Sequence, residues 1–122
     1  MDLHRPSVRL CAEGTQLEFE GRVEEARQRF AEAWNCATGA YEKCIAAHYV
    51  GHLAQTPEAL LFWHGTALEQ ASQADPALVE SFLPSLYVNL GYAHEQNGDK
   101  ASATRYYDLA ASLGLVHQGE SA

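Results

Sequence analysis

The chain is predicted to be all-α, with three helix-turn-helix repeats stacked in one array, and three observations carry that expectation. Gly14, Gly21, Ala26, Phe30 and Ala33 recur, with the same four spacings, as Gly91, Gly98, Ala103, Tyr107 and Ala110. Small and aromatic residues that return in this way mark a helical pair that packs on a copy of itself. The two sets lie 77 residues apart, nine more than two repeats of about 34, so a degenerate middle copy is required. Shifting the first set by one such period lands on His48, Gln55, Leu60, His64 and Ala67, which places the nine-residue excess after Ala67. Finally, glycine and proline punctuation cuts the chain into six helical segments.

The first pair is expected over about Ser7 to Phe19 and Arg22 to Asn35, broken at Gly21. The second covers about Tyr41 to Ala54 and Pro57 to Gln73, bracketed by Gly39 and by Thr56-Pro57, a capping residue with a proline in the first turn. Asp75-Pro76 caps a long fifth helix, expected to run to about Gln96 and to bend near Pro84, since an internal proline removes one backbone hydrogen bond. The nine extra residues are read as a two-turn extension of this helix. Gly98-Asp99 opens the sixth helix, which ends near Gly114, and His117 to Ala122 reads as a frayed tail. The repeats thus occupy about 7–38, 41–74 and 75–115 of a single domain spanning 1–122.

Composition fits one modest core: the chain has 122 residues, 47% of them hydrophobic, and three repeats are about the minimum that buries such a core. Sixteen acidic against eight basic side chains give a net charge of −8, which repels phosphate, so neither nucleic acid nor anionic membrane is an expected partner. Six of the eight bases lie in residues 1–43, leaving the remainder at −6, so a charged partner should be neutral to basic. The N-terminal stretch carries Asp2, His4, Arg5 and Arg9 and no apolar run of signal or membrane length, from which a cytoplasmic location is the expectation. Cys11, Cys36 and Cys44 form no CxxC pair and read as small core or groove residues rather than a disulfide framework or zinc ribbon.

The segment "NLGYAHEQNGDKASATRYYDLA" resembles a tetratricopeptide repeat (TPR) through Leu90-Gly91, Gly98-Asp99, Ala103, Tyr107 and Ala110. The first copy shares the pattern, and the second departs at three of the five positions. Leu10, Cys44 and Tyr87 stand where the family usually has a tryptophan. The resemblance spans roughly residues 7–115, and "YEKCIAAHY" and "FLPSLYVNLGYAHE" are similar to stretches of bacterial repeat proteins of this kind. It implies a right-handed superhelix, an α-solenoid whose concave face is lined by the first helix of each pair.

By column, that face would present Thr15, Tyr49 and Tyr92; Glu18, His52 and Glu95; Ala12, Ala46 and Asn89; and Cys11, Ile45 and Val88. Tyrosine and asparagine suit recognition because they give area and hydrogen bonds with few rotors to freeze. Tyr49 and Tyr92 equally suit packing between neighbouring helices. Relatives that clamp a peptide carboxylate use lysine, arginine and asparagine in these columns, and only Asn89 remains here, so the groove is expected to take an apolar or basic protein segment.

The middle copy shifts volume by one helical turn: His48 and Gly51 replace Gly14 and Leu17, while His64 replaces the ring of Phe30 or Tyr107 and is expected to face His48. Cys44, His48 and His52 follow one another at four-residue steps, a spacing that suits zinc with His64 opposite but that also arises from ordinary core histidines. No metal and no cofactor is assigned, and a small-ligand or metal-binding regulator centred on His48 and His64 stands only as an alternative. No phosphate loop, GxSxG or HExxH motif occurs, and no catalytic residue is assigned. On the last helix Tyr106, Leu109 and Leu113 form an apolar stripe at i, i+3 and i+7, which suggests a homodimer unless the Leu115-Val116 tail or the bent fifth helix covers it.

Overall fold

A computed structural model describes residues 2–114. These form helices α1 (Pro6–Phe19), α2 (Val23–Cys36), α3 (Gly39–His52), α4 (Pro57–Gln73), the one-turn α5 (Pro76–Val79), a 3-10 turn (Glu80–Phe82), α6 (Leu83–Gln96) and α7 (Lys100–Ser112), with no strand among the described residues. The tail from Leu115 onward, including the expected frayed end and the Leu115-Val116 cover, lies outside them. The helices pack as three consecutive pairs, α1 with α2, α3 with α4 and α6 with α7.

The matched glycines have matched causes. Gly21 and Gly98 adopt φ of 81° and 80°, the left-handed conformation that only glycine takes without strain. Each ends its helix with the same pair of hydrogen bonds: Arg22 N–H to Leu17 and Gly21 N–H to Glu18, then Asp99 N–H to His94 and Gly98 N–H to Glu95. Gly14 and Gly91 serve a different need, close approach. A methyl group at Gly14 would overlap the Phe30 ring, and one at Gly91 would stand 2.7 Å from the Tyr107 ring. In the middle pair the contact has moved by one turn, as the exchange of His48 and Gly51 implied: Gly51 lies against the His64 ring, 3.0 Å from where its Cβ would be.

Capping follows the sequence. Thr56 accepts from the Ala59 amide at 3.1 Å, Asp75 from Ala77 at 3.0 Å and Asp99 from Ser102 at 3.1 Å, each satisfying an amide that the helix leaves free. The fifth segment is helical from Pro76 to Gln96, as expected, with its irregularity just ahead of Pro84: α5 stops after one turn, a 3-10 turn follows, and Pro84 falls in the first turn of α6. There its missing N–H costs nothing, so the proline starts a helix instead of bending one. The nine extra residues are therefore an elbow.

Two buried clusters hold the pairs together. Val8, Cys11, Ala33, Ile45 and Ala46 join α1, α2 and α3, while Cys44, Ala47, Ala67, Ala71, Val79 and Leu86 join α3, α4, α5 and α6. Trp34, Tyr41 and Phe82 pack on both. Trp34 meets Trp63 edge to face at 5.1 Å, and Tyr41 stacks on Phe82 at 6.4 Å. The elbow thus puts an aromatic ring where both clusters meet.

Candidate functional site

Helical spacing sets the expected site residues on α1, α3 and α6, and the two junctions between those helices differ. At the first, α1 packs directly on α3. Tyr49 stacks on Phe30 at 5.2 Å and meets His48 edge on at 5.1 Å. Burial raises the Tyr49 phenol pKa, and its hydrogen bond with Thr15 pulls the other way. The Thr15 hydroxyl also lies 2.9 Å from the Cys11 carbonyl, and Glu18 pairs with His52 at 2.9 Å. Thr15, Glu18, Tyr49 and His52 are brought together, and each is tied to a neighbour inside the molecule.

The second junction is open. Between α3 and the elbow lies a cleft of about 180 Å³ lined by Cys44, Ile45, His48, Tyr49, Ser81, Phe82, Ser85 and Leu86. Its far side is α6, where Ser85, Asn89 and Tyr92 follow one another at i, i+4 and i+7 and so form one stripe. Asn89 Nδ2 lies 3.2 Å from His48 Nδ1, a polar tie across the gap. Tyr92 remains 46% exposed, in contrast to Tyr49, so the two rings do different work. Glu95 accepts a hydrogen bond from the Tyr107 hydroxyl at 3.2 Å.

The expected pairing of His48 with His64 is present, their ring centroids 6.2 Å apart. Burial lowers both pKa values, helped at His48 by the neighbouring His52 and at His64 by His48 and His52; His64 falls to about 4. Both rings are therefore neutral at pH 7. His64 is 5% exposed, and its Nδ1 has no hydrogen-bond partner among the described residues. His52 turns to Glu18 instead, and no group of three or more metal-ligating side chains assembles among the described residues. Burial also pushes the Cys44 thiol up to about 11 and the Cys11 thiol, with help from Cys36, to about 12, which keeps both protonated.

On α7, Tyr106 does not stand free with its stripe: it stacks on Tyr87 at 6.2 Å and His94 at 5.4 Å, with Arg105 over its ring. Leu109 and Leu113 stay exposed, at 40% and 52%. No helix among the described residues is long and apolar enough to cross a membrane.

Two features escaped the sequence reading. Ser81, Phe82 and Ser85 line the open junction, and the sequence signal for them is the nine-residue excess, whose residues equally suit a regular helix. Buried Glu42 accepts from Ser7 Oγ at 2.5 Å, Arg5 at 3.0 Å, and the Thr38 amide and hydroxyl at 3.1 Å each. Burial alone would raise its pKa, but these donors outweigh it and hold the carboxyl below its ordinary value. Glu42 stands four residues after Thr38, one beyond capping-box spacing, so no motif announced it. Comparison with family models, curated proteins and solved structures finds no match for this chain.

Proposed function

We propose that the chain is a three-repeat, tetratricopeptide-like scaffold, a right-handed superhelix that binds a neutral to basic protein segment along the face made by α1, α3 and α6, and that it works in the cytoplasm without catalysis. The observation that carries this reading is the open second junction, an uncharged cleft from whose wall residue Ser85 the stripe on α6 continues through Asn89 to the half-exposed Tyr92. Exposed aromatic rings beside concave apolar surface are where binding energy concentrates. Asn89 and Glu95 flank that centre on α6, Tyr49 and His52 on α3, and Thr15 and Glu18 continue the face across the closed junction. The doubled acidic content favours a basic segment over an acidic one.

Affinity purification on the full chain, followed by titration of the captured partner, tests the reading. Tyr92→Ala is expected to weaken the partner tenfold or more, about 1.4 kcal/mol, and to leave melting nearly unchanged. Unaltered affinity with a large loss of stability would make Tyr92 a packing residue and remove the proposal. A second reading, a homodimer through α7, is favoured by the exposure of Leu109 and Leu113 beside Tyr106. Light scattering at high micromolar concentration decides it: a dimer that dissociates in Leu109→Glu, Leu113→Glu supports it, and a monomeric wild type removes it.

A further inference from the structure

The elbow gives the second junction a wall that the first lacks. In a continuous fifth helix, Ser81 and Phe82 would lie on the same rod as Ser85; the 3-10 turn instead sets Phe82 against Tyr41 and both residues beside α3. The cleft they close, about 180 Å³, is of benzene-holding size, since apolar cavities of roughly 150 Å³ take up that ring. Ile45, Phe82 and Leu86 supply apolar walls, and the exposed Ser81 and Ser85 supply hydroxyls. None of the eight lining residues is an acid, lysine or arginine, and burial keeps His48 neutral at pH 7. A charged group entering the cleft would lose water and meet no counter-charge. The chain as a whole is acidic, with sixteen acidic against eight basic side chains.

An uncharged cavity in a chain of net charge −8 is complementary to a ring carried between cations. We propose that the cleft between α3 and the elbow is a socket for one uncharged aromatic side chain, presented by a basic segment lying along Ser85, Asn89 and Tyr92. This deepens the segment-binding reading and rests on it.

The test is an amide-resolved NMR titration of the full chain with toluene and p-cresol as side-chain stand-ins and benzoate as the charged control. Toluene and p-cresol should give saturable shifts at Ile45, Ser85 and Leu86, with benzoate at least tenfold weaker. Ser85→Trp, which fills the mouth, should weaken both rings at least tenfold, and Ser81→Trp serves if that variant does not fold. Ser72→Trp, in a separate cleft between α4 and α6, should leave them unchanged. No saturable shift at those residues, or equal binding to Ser85→Trp, overturns the socket. A lysine-rich peptide with one phenylalanine should bind at least tenfold more tightly than its alanine counterpart; equal binding overturns the assignment to a segment's side chain. Free rings need no partner, so the two readings fail separately. Absent ring binding with Tyr92-dependent capture intact sinks the socket alone, whereas ring binding without any captured segment sinks the segment reading.

Discussion

The junction between α1 and α3 is closed and the one between α3 and α6 is open, although both lie between the first helices of neighbouring pairs. At the first, alanine, cysteine and valine let the backbones approach, Tyr49 settles on Phe30, and Glu18 closes with His52. At the second, a cleft lies between α3 and the start of α6, and the span is crossed by the Asn89–His48 contact, by Phe82 on Tyr41 and by Leu86 in the cluster with Cys44 and Ala47. The same helical frame thus gives a load-carrying contact where the period is kept and a cleft where nine residues interrupt it. Stability and recognition should separate along that line.

The largest expected effect is at the closed side. Phe30 is fully buried against Gly14 and under Tyr49, so Phe30→Ala should cost about 3–5 kcal/mol, read by chemical denaturation. A loss below about 1 kcal/mol would mean that the first junction does not carry the fold.

Acid should act next, and through the middle pair. His64 has a folded pKa of about 4, below the unfolded value of about 6.5, so between these limits the unfolded chain binds more protons. Stability should therefore be flat above about pH 7, fall between about pH 6.5 and 4 by on the order of 3 kcal/mol, and owe further loss below about pH 4.5 to protonation of Glu42. His64→Phe should remove most of the decline above about pH 4, leaving the share due to buried His48, and, by deleting the unpaired Nδ1, should not lower stability at pH 7. Thermal melts of both proteins across this range check it; an unchanged slope in the variant would assign the titration elsewhere.

The smallest effect probes the open side. Asn89→Ala removes the polar tie and leaves His48 Nδ1 without its amide, at a cost of about 1 kcal/mol. Hydrogen exchange should quicken in α6 and stay unchanged in α1. Uniform quickening would show that the junctions are not separable.

The helical pairs were legible because their causes are local: a left-handed glycine at each matched turn, a capping side chain, and a glycine facing a ring at fixed separation. The shift of the middle copy was legible for the same reason, since His48 and Gly51 trade volume on one helix face. The elbow was not. Asp75-Pro76 and Pro84 are both compatible with helix, and only packing of Val79 and Phe82 into the two clusters decides that the chain breaks between them. Nor was the split between Tyr49 and Tyr92 readable. The two occupy one sequence column, and what distinguishes them is the neighbouring helix, which covers the first ring and leaves the second half exposed. Glu42 was hidden by distance, as two of its donors, Arg5 and Ser7, come from more than thirty residues away.

The central claim, that recognition sits at the open junction, is tested most directly by the amide footprint of the captured segment on the full chain. Shifts and protection concentrated at Ile45, His48, Ser85, Asn89 and Tyr92, fading toward Thr15 and Glu18, are the predicted result. A footprint centred on Leu109 and Leu113, or on α1 with Ser85 and Tyr92 untouched, would contradict it.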